Sequence, residues 1–189
     1  MTGARETGQR AAYLSGAVEH VLREGVGTLS LRPLAAALGT SDRMLLYYFG
    51  TRDDLLAAVL GAVGGQLQAG LATALPDGAL PPGRLLQVLW QALQDPAADA
   101  HVRLYLEVSG LAARGRRPFT DIARRVARDW LAWVGPRLDV GDAGAEQRAA
   151  AAAGLLAAVD GILLVRAVDG PERAAAAAGW LVAALGAGD

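Results

Sequence analysis

The chain has 189 residues, enough for one domain or two small ones, and 53% of them are apolar, ample for a packed core. It has no cysteine, which excludes disulfides, thiolate zinc sites and thiol nucleophiles and fits a reducing compartment. All 18 basic residues are arginine and the formal charge is -1, so no field of the whole molecule draws it to nucleic acid or membrane.

The opening stretch "MTGARETGQR" lacks the apolar run of a secretory signal, and a cytosolic protein is expected. Apolar residues recur at helical spacing from end to end while alternating β-branched runs are nearly absent, which predicts an all-α fold. A first helix, about Glu6 to Arg23, places Leu14, Ala17, Val18, Val21 and Leu22 on one face, and Gly25 stops it. Ser30 is a natural N-cap for a second helix ending at Leu38, with Pro33 in its first turn. Gly39 can take the left-handed conformation that ends that helix, and Ser41 can cap a third running to about Tyr47. Thr51 caps a long fourth helix, with Asp53 and Asp54 complementing its dipole and an apolar stripe from Leu55 through Leu67 toward Leu75. Gly61, Gly64 and Gly65 lie inside it at a cost of about 1 kcal/mol each relative to alanine and are read as marks of close packing or a bend.

Beyond "PDGALPPG", four or five further helices follow, approximately Arg84–Gln94, Ala97–Ala113, Pro118–Val134, Ala145–Val168 and Pro171–Leu185. The most hydrophobic tract, Ala149 to Val168, carries Asp160 and Arg166, so it reads as a buried helix rather than a clean membrane span of ~20 residues, and no membrane partner is expected. The organisation expected is a three-helix DNA-binding domain at 1–50, with a helix-turn-helix at about 30–49, and a helical domain at 51–189.

That assignment rests on "SLRPLAAALGTSDRMLLYYF", residues 30–49. Counted from Leu31, the small Ala35 stands where the two helices of a helix-turn-helix touch, Gly39 stands at the turn, and Leu34, Leu38 and Leu45 stand where apolar residues seal the pair. The short third helix would then lay its N-terminal end in a major groove. Arg43 and Tyr47, four apart, share a face; arginine can bond guanine O6 and N7, and tyrosine hydroxyls suit phosphate oxygens. Arg32 and Arg52 flank the segment where backbone phosphates would run. Two merely packed helices are joined by similar sequences. Residues 1–60 hold six arginines and six acids, a neutral balance that predicts a shallow salt dependence of DNA binding.

Residues 24–60, "EGVGTLSLRPLAAALGTSDRMLLYYFGTRDDLLAAVL", resemble the DNA-binding region of TetR-family transcriptional regulators. The resemblance lies in the glycine after helix one, the Ala-x-x-x-Gly turn, the short helix ending in aromatics and phenylalanine, and the capped helix after it; length and a layout of about nine helices also agree. It implies phosphate contacts for Ser30 and Arg32, with Ser41 at the start of the recognition helix. Asp42, Arg43 and Met44 would then face bases, and Tyr47, Tyr48 and Arg52 the backbone. Leu46 stands where the family has tyrosine, and Arg52 where it has lysine. The resemblance also implies a homodimer on a pseudo-palindromic operator in double-stranded DNA and a small-molecule effector held in the C-terminal domain.

The last two predicted helices are rich in alanine and glycine and bear long apolar faces, suited either to a bundle shared by two copies or to closing one core. Trp90, His101, Tyr105, Trp130 and Trp133 are candidate walls of an effector pocket, or ordinary core. Asp160 and Glu107 would be polar contacts there if buried; Glu107 is expected to face solvent. Six arginines between 114 and 128 read as a solvated helix surface, with nucleic acid or an anionic ligand as the other reading. His20 and His101 fall in no metal-binding spacing, and no nucleophile elbow, phosphate loop or dinucleotide fingerprint occurs, so neither catalysis nor a cofactor is expected. The alternative to a DNA-binding regulator is a helical small-molecule-binding or interaction protein without DNA binding.

Overall fold

The computed structural model describes residues 2–27 and 29–186, with side chains from Glu6 onward. Among these residues there are nine α-helices and no strand: α1 Thr2–Glu24, α2 Leu31–Ala37, α3 Asp42–Phe49, α4 Arg52–Ala74, α5 Pro82–Ala92, α6 Asp99–Ala113, α7 Phe119–Val134, α8 Ala145–Asp169 and α9 Pro171–Ala184. The all-α expectation and the order of helices hold. The helix expected from Ala97 divides: Pro96–Ala98 form a 3-10 turn whose Ala97 N–H donates to Asp95 Oδ1 at 2.8 Å, and α6 starts only at Asp99.

The chain forms two compact units, and their limits differ from a boundary at residue 50. The first takes residues 1–67 together with 100–126. Its core draws Ala17, Val18 and Val21 from α1, Leu34 and Ala35 from α2, and Leu45 and Phe49 from α3. Leu55, Leu56 and Val59 of α4, Leu104 and Val108 of α6, and Phe119 and Ile122 of α7 complete it. The helix-turn-helix is thus seated on a floor that includes the α6–α7 hairpin, a partner some 70 residues away in sequence that no local pattern announces.

The second unit takes residues 68–99 and 127–189. Here α8 packs on α9 and both pack on α5, burying Leu85, Leu86 and Leu89 with Leu155, Ile162, Leu163, Ala174 and Ala178. Arg166 on α8 ties this unit together: its guanidinium donates to the Leu93 carbonyl at 2.7 Å and pairs with Asp99 at 2.5 Å. Leu80 and the strand-like residues after Gly135–Arg137 exchange backbone bonds, Leu80 N to Arg137 O at 2.9 Å and Asp139 N to Leu80 O at 2.8 Å. By length and composition α4 and α8 are each apolar enough to cross a bilayer; α4 nevertheless buries Leu55, Leu56, Val59 and Leu60 in the protein, and α8 buries Ala152, Leu155, Ile162 and Leu163.

The glycines of α4 do not mark close packing: a Cβ added at Gly61, Gly64 or Gly65 meets nothing within 4 Å. Close approach occurs instead at Gly83, where an added Cβ would lie 2.6 Å from the Gly186 carbonyl oxygen and 2.7 Å from that of Val182. Backbone cannot retreat as a side chain can. Gly83→Ala is therefore expected to lower stability by about 1–3 kcal/mol through overpacking, whereas Gly65→Ala in open helix should raise it by up to about 1 kcal/mol. Thermal or urea unfolding of the two variants checks this, and equal effects of one sign would refute it.

Candidate nucleic-acid interface

Three backbone features build the turn between α2 and α3. Gly39 has φ +63, its N–H donates to the Ala36 carbonyl at 3.2 Å, and the Thr40 N–H donates to that of Ala35 at 2.9 Å. These are the two bonds of a Schellman ending. Ser41 then opens α3 in extended conformation, its hydroxyl accepting from the Met44 N–H at 3.3 Å. Ser30 has the extended backbone of an N-cap, but its hydroxyl makes no capping bond, contrary to expectation. It stays exposed on the surface.

Within α3, Leu45 and Phe49 point into the core against Leu34 and Ala35 of α2. Helical periodicity then turns the rest outward. Arg43 is exposed, as are Met44 at 37%, Leu46 at 36% and Tyr47 at 66%. Asp42 is half-buried in the first turn, where its charge complements the helix dipole. Arg32 is exposed in the first turn of α2.

The last turn of α3 is held from α1. Arg10 Nε donates to the Tyr48 carbonyl at 3.2 Å, and its guanidinium carbon lies 4.8 Å from the centre of the Phe49 ring. Tyr48 sits edge-on to Tyr13, with ring centres 5.5 Å apart, and edge-on to Tyr47 at 5.1 Å. Its phenol is raised above the usual tyrosine range, first by desolvation and then by Tyr13, Glu6 and Tyr47. A phenol O–H can donate to a phosphate oxygen. The Tyr47 hydroxyl donates to Glu6 Oε1 at 3.4 Å, a long bond that leaves the ring outside. Arg10, Tyr13 and Glu6 were invisible to spacing arguments because they lie 35 or more residues from their partners.

At the start of α4 the expected cap is present and reciprocal. Thr51 Oγ1 accepts from the Asp54 N–H at 3.1 Å while Asp54 Oδ2 accepts from the Thr51 N–H at 3.2 Å and from its hydroxyl at 2.7 Å. Those bonds hold the Asp54 carboxyl below the usual range, and Arg125 lowers it further against some desolvation. Arg52 is only partly available: its Nη2 donates to the Leu29 carbonyl at 2.6 Å, fastening α4 to the residue before Ser30, and Nη1 lies 3.9 Å from Asp53. Glu107 is half-buried and committed to the backbone rather than free at the surface. Its carboxylate accepts from the Val26 N–H at 3.1 Å and the Gly27 N–H at 2.7 Å, holding the loop that leads into α2.

The five candidate pocket residues fall in both units, His101 and Tyr105 in the first and Trp90, Trp130 and Trp133 in the second. Trp130 and Trp133 do meet, edge to face at 5.5 Å, and Arg137 lies over Trp133 at 4.1 Å. Trp90 is buried. Among the described residues, both ring nitrogens of His101 are buried without a hydrogen-bond partner. A recess of about 400 Å³ bounded by Ala72, Leu75, Leu80, Leu85, Pro136 and Arg137 contains none of the five.

Residues 14–59 match the model of bacterial regulatory proteins of the tetR family. Over 93% of its length the chain superposes on a tetR-family transcriptional regulator from Rhodococcus sp., with a TM-score of 0.73, 18% identity and 95% of that chain covered. It superposes on the multidrug binding protein EbrR complexed with proflavin over 93%, with a TM-score of 0.67, 26% identity and 98% of that chain covered. A TetR transcription regulator from Haloarcula marismortui aligns over 95% of this chain and 96% of its own, with a TM-score of 0.66 and 17% identity. No curated protein sequence gives a significant match.

Proposed function

We propose that this chain, a member of the TetR family of transcriptional regulators, is a cytoplasmic homodimeric repressor that reads a pseudo-palindromic operator with α3 and releases it when a small molecule binds the C-terminal part. The observation that carries the reading is the outward Arg43, Met44 and Tyr47 on a helix whose inward side is fully used by Leu45 and Phe49. Arg43 suits guanine, Asp42 can accept from cytosine N4, and Met44 offers an apolar contact to a thymine methyl. Ser30, with its uncommitted hydroxyl, and Arg32 suit phosphates at the start of α2; Ser41, Tyr47, Tyr48 and the free edge of Arg52 suit those beside α3. Such an interface binds by charge and shape and needs no catalysis.

Arg43→Ala should cost about 1–3 kcal/mol on the operator and flatten the preference for it over random DNA, while Arg32→Ala should weaken binding to both equally. Gel retardation on an operator obtained by selection from random duplexes measures both. A wild-type protein that retards no duplex would instead favour a ligand-binding protein without DNA function.

Dimerisation is supported by an apolar stripe on the second unit. Leu164 and Val168 on α8 are 54% and 74% exposed, and Trp180 on α9 is 70% exposed. A second copy meeting the same stripe would bury them around a two-fold axis and set recognition helices about 34–36 Å apart, one turn of DNA. Trp180→Glu is expected to shift the protein to monomer at micromolar concentration in sedimentation and to weaken operator binding; an unshifted dimer would place the interface elsewhere.

For the effector, the orphaned nitrogens of His101 favour a ligand with a polar group, because a buried imidazole left unpaired costs free energy that a bond would recover. EbrR, complexed with proflavin and with malachite green, makes aromatic dyes of drug size the first compounds to try. Titration of proflavin fluorescence should show binding about tenfold weaker in His101→Phe, with no loss of thermal stability. Equal affinities would remove His101 from the site.

A further inference from the structure

The first unit is not neutral once its true extent is known. Residues 1–60 balance six arginines against six acids, but the compact unit also holds residues 100–126, which bring six arginines and only two acids. Counted over 1–67 and 100–126, twelve arginines face eight carboxylates, a net charge of +4. The excess sits in the α6–α7 turn and the first turns of α7, at Arg114, Arg116, Arg117, Arg124 and Arg125, all exposed. Against them stands Asp121, 3.9 Å from Arg117 and 3.5 Å from Arg124, with side chains 85% and 70% exposed. Such pairs neutralise little. Among the described residues Arg114, Arg116 and Arg125 form no ion pair, and the C-terminal dipole of α6 accounts for one neighbouring cation rather than five.

The turn itself is well defined. Gly115 has φ +70, its N–H donates to Ala112 O at 2.9 Å, and the Arg116 N–H donates to Leu111 O at 3.2 Å, a second Schellman ending. Thr120 Oγ1 closes it onto Arg116 O at 3.3 Å, and Phe119 and Ile122 anchor it in the core of the helix-turn-helix unit. Its placement follows from the shared core and from the two bonds by which Glu107 of α6 grips the loop before α2; Arg52 in turn joins that loop to the start of α4, where the Asp54 carboxyl feels the charge of Arg125. The basic hairpin therefore sits beside the two helix starts, α2 and α4, that are suited to phosphates.

Resting on the DNA-binding reading above, we infer that the arginines of the α6–α7 turn make a second, sequence-blind contact with the DNA backbone, flanking the bases that α3 reads. The hairpin supplies the positive charge that residues 1–60 lack. Each phosphate neutralised releases a counterion and steepens the dependence of log affinity on log salt by about 0.9.

The test uses the full-length protein with Arg114, Arg116 and Arg117 all changed to alanine, three exposed positions whose loss should leave the melting temperature unchanged. The salt slope of operator binding is expected to fall by about two to three, while the ratio of operator to random-DNA affinity stays that of the wild type. A duplex extended by about five base pairs beyond each half-site should bind the wild type more tightly than the bare site and bind the triple variant no better. Unchanged slope and equal gain from the extension would overturn the inference while leaving α3 as the reader, as judged by Arg43→Ala. A wild type that binds no DNA would overturn both. Loss of binding to phosphatidylglycerol vesicles in the triple variant, with DNA binding intact, would reassign the patch to membranes and overturn it too.

Discussion

One backbone conformation governs how this protein meets its surroundings. At φ +63, Gly39 reverses the chain in a way that costs any residue with a Cβ, and the bonds from Gly39 and Thr40 back to α2 leave no slack in the turn. The turn brings Ala35 against α3 and sends Leu45 and Phe49 inward with Leu34. Every outward side chain on α3 is outward because those four are inward. Helices of seven and eight residues are too short to persist alone, so their shape is borrowed from α1, α4 and the hairpin beneath them.

That borrowing explains why supports from distant segments concentrate around the turn. Arg10 holds the end of α3, Glu107 the approach to α2, and Arg52 the junction of α2 with α4. Each donates to, or accepts from, main-chain groups that a helix end or loop would otherwise leave to water. Glu107 and His101 lie on one helix, α6, so the rod that grips the loop before α2 also carries the buried imidazole whose nitrogens have no partner among the described residues.

What the sequence revealed was what is coded within a few residues. The caps at Ser41 and Thr51 though not at Ser30, the positive-φ turn at Gly39, the apolar face of α1 and the ends of nearly all helices followed from local chemistry, and the spacing of residues 31–45 identified the helix-turn-helix. Glycine was legible only by half: its cost in a helix is intrinsic, but whether it makes room for a neighbour is tertiary, so the open Gly61, Gly64 and Gly65 drew notice and the crowded Gly83 did not. Glu107 looked like a surface carboxylate because its partners lie 80 and 81 residues away. Residues 1–60 are neutral as counted, and the positive balance of the first unit was hidden for the same reason, since residues 100–126 join that unit only through folding.

The grip of Glu107 also equips the protein with an internal gauge. Loop amides ordinarily trade their hydrogens with solvent fast, yet those of Val26 and Gly27 are tied to a carboxylate on α6. Their deuterium uptake is thus set by how firmly α6 stays seated, and it would register a shift of that helix by a ligand without any probe being attached.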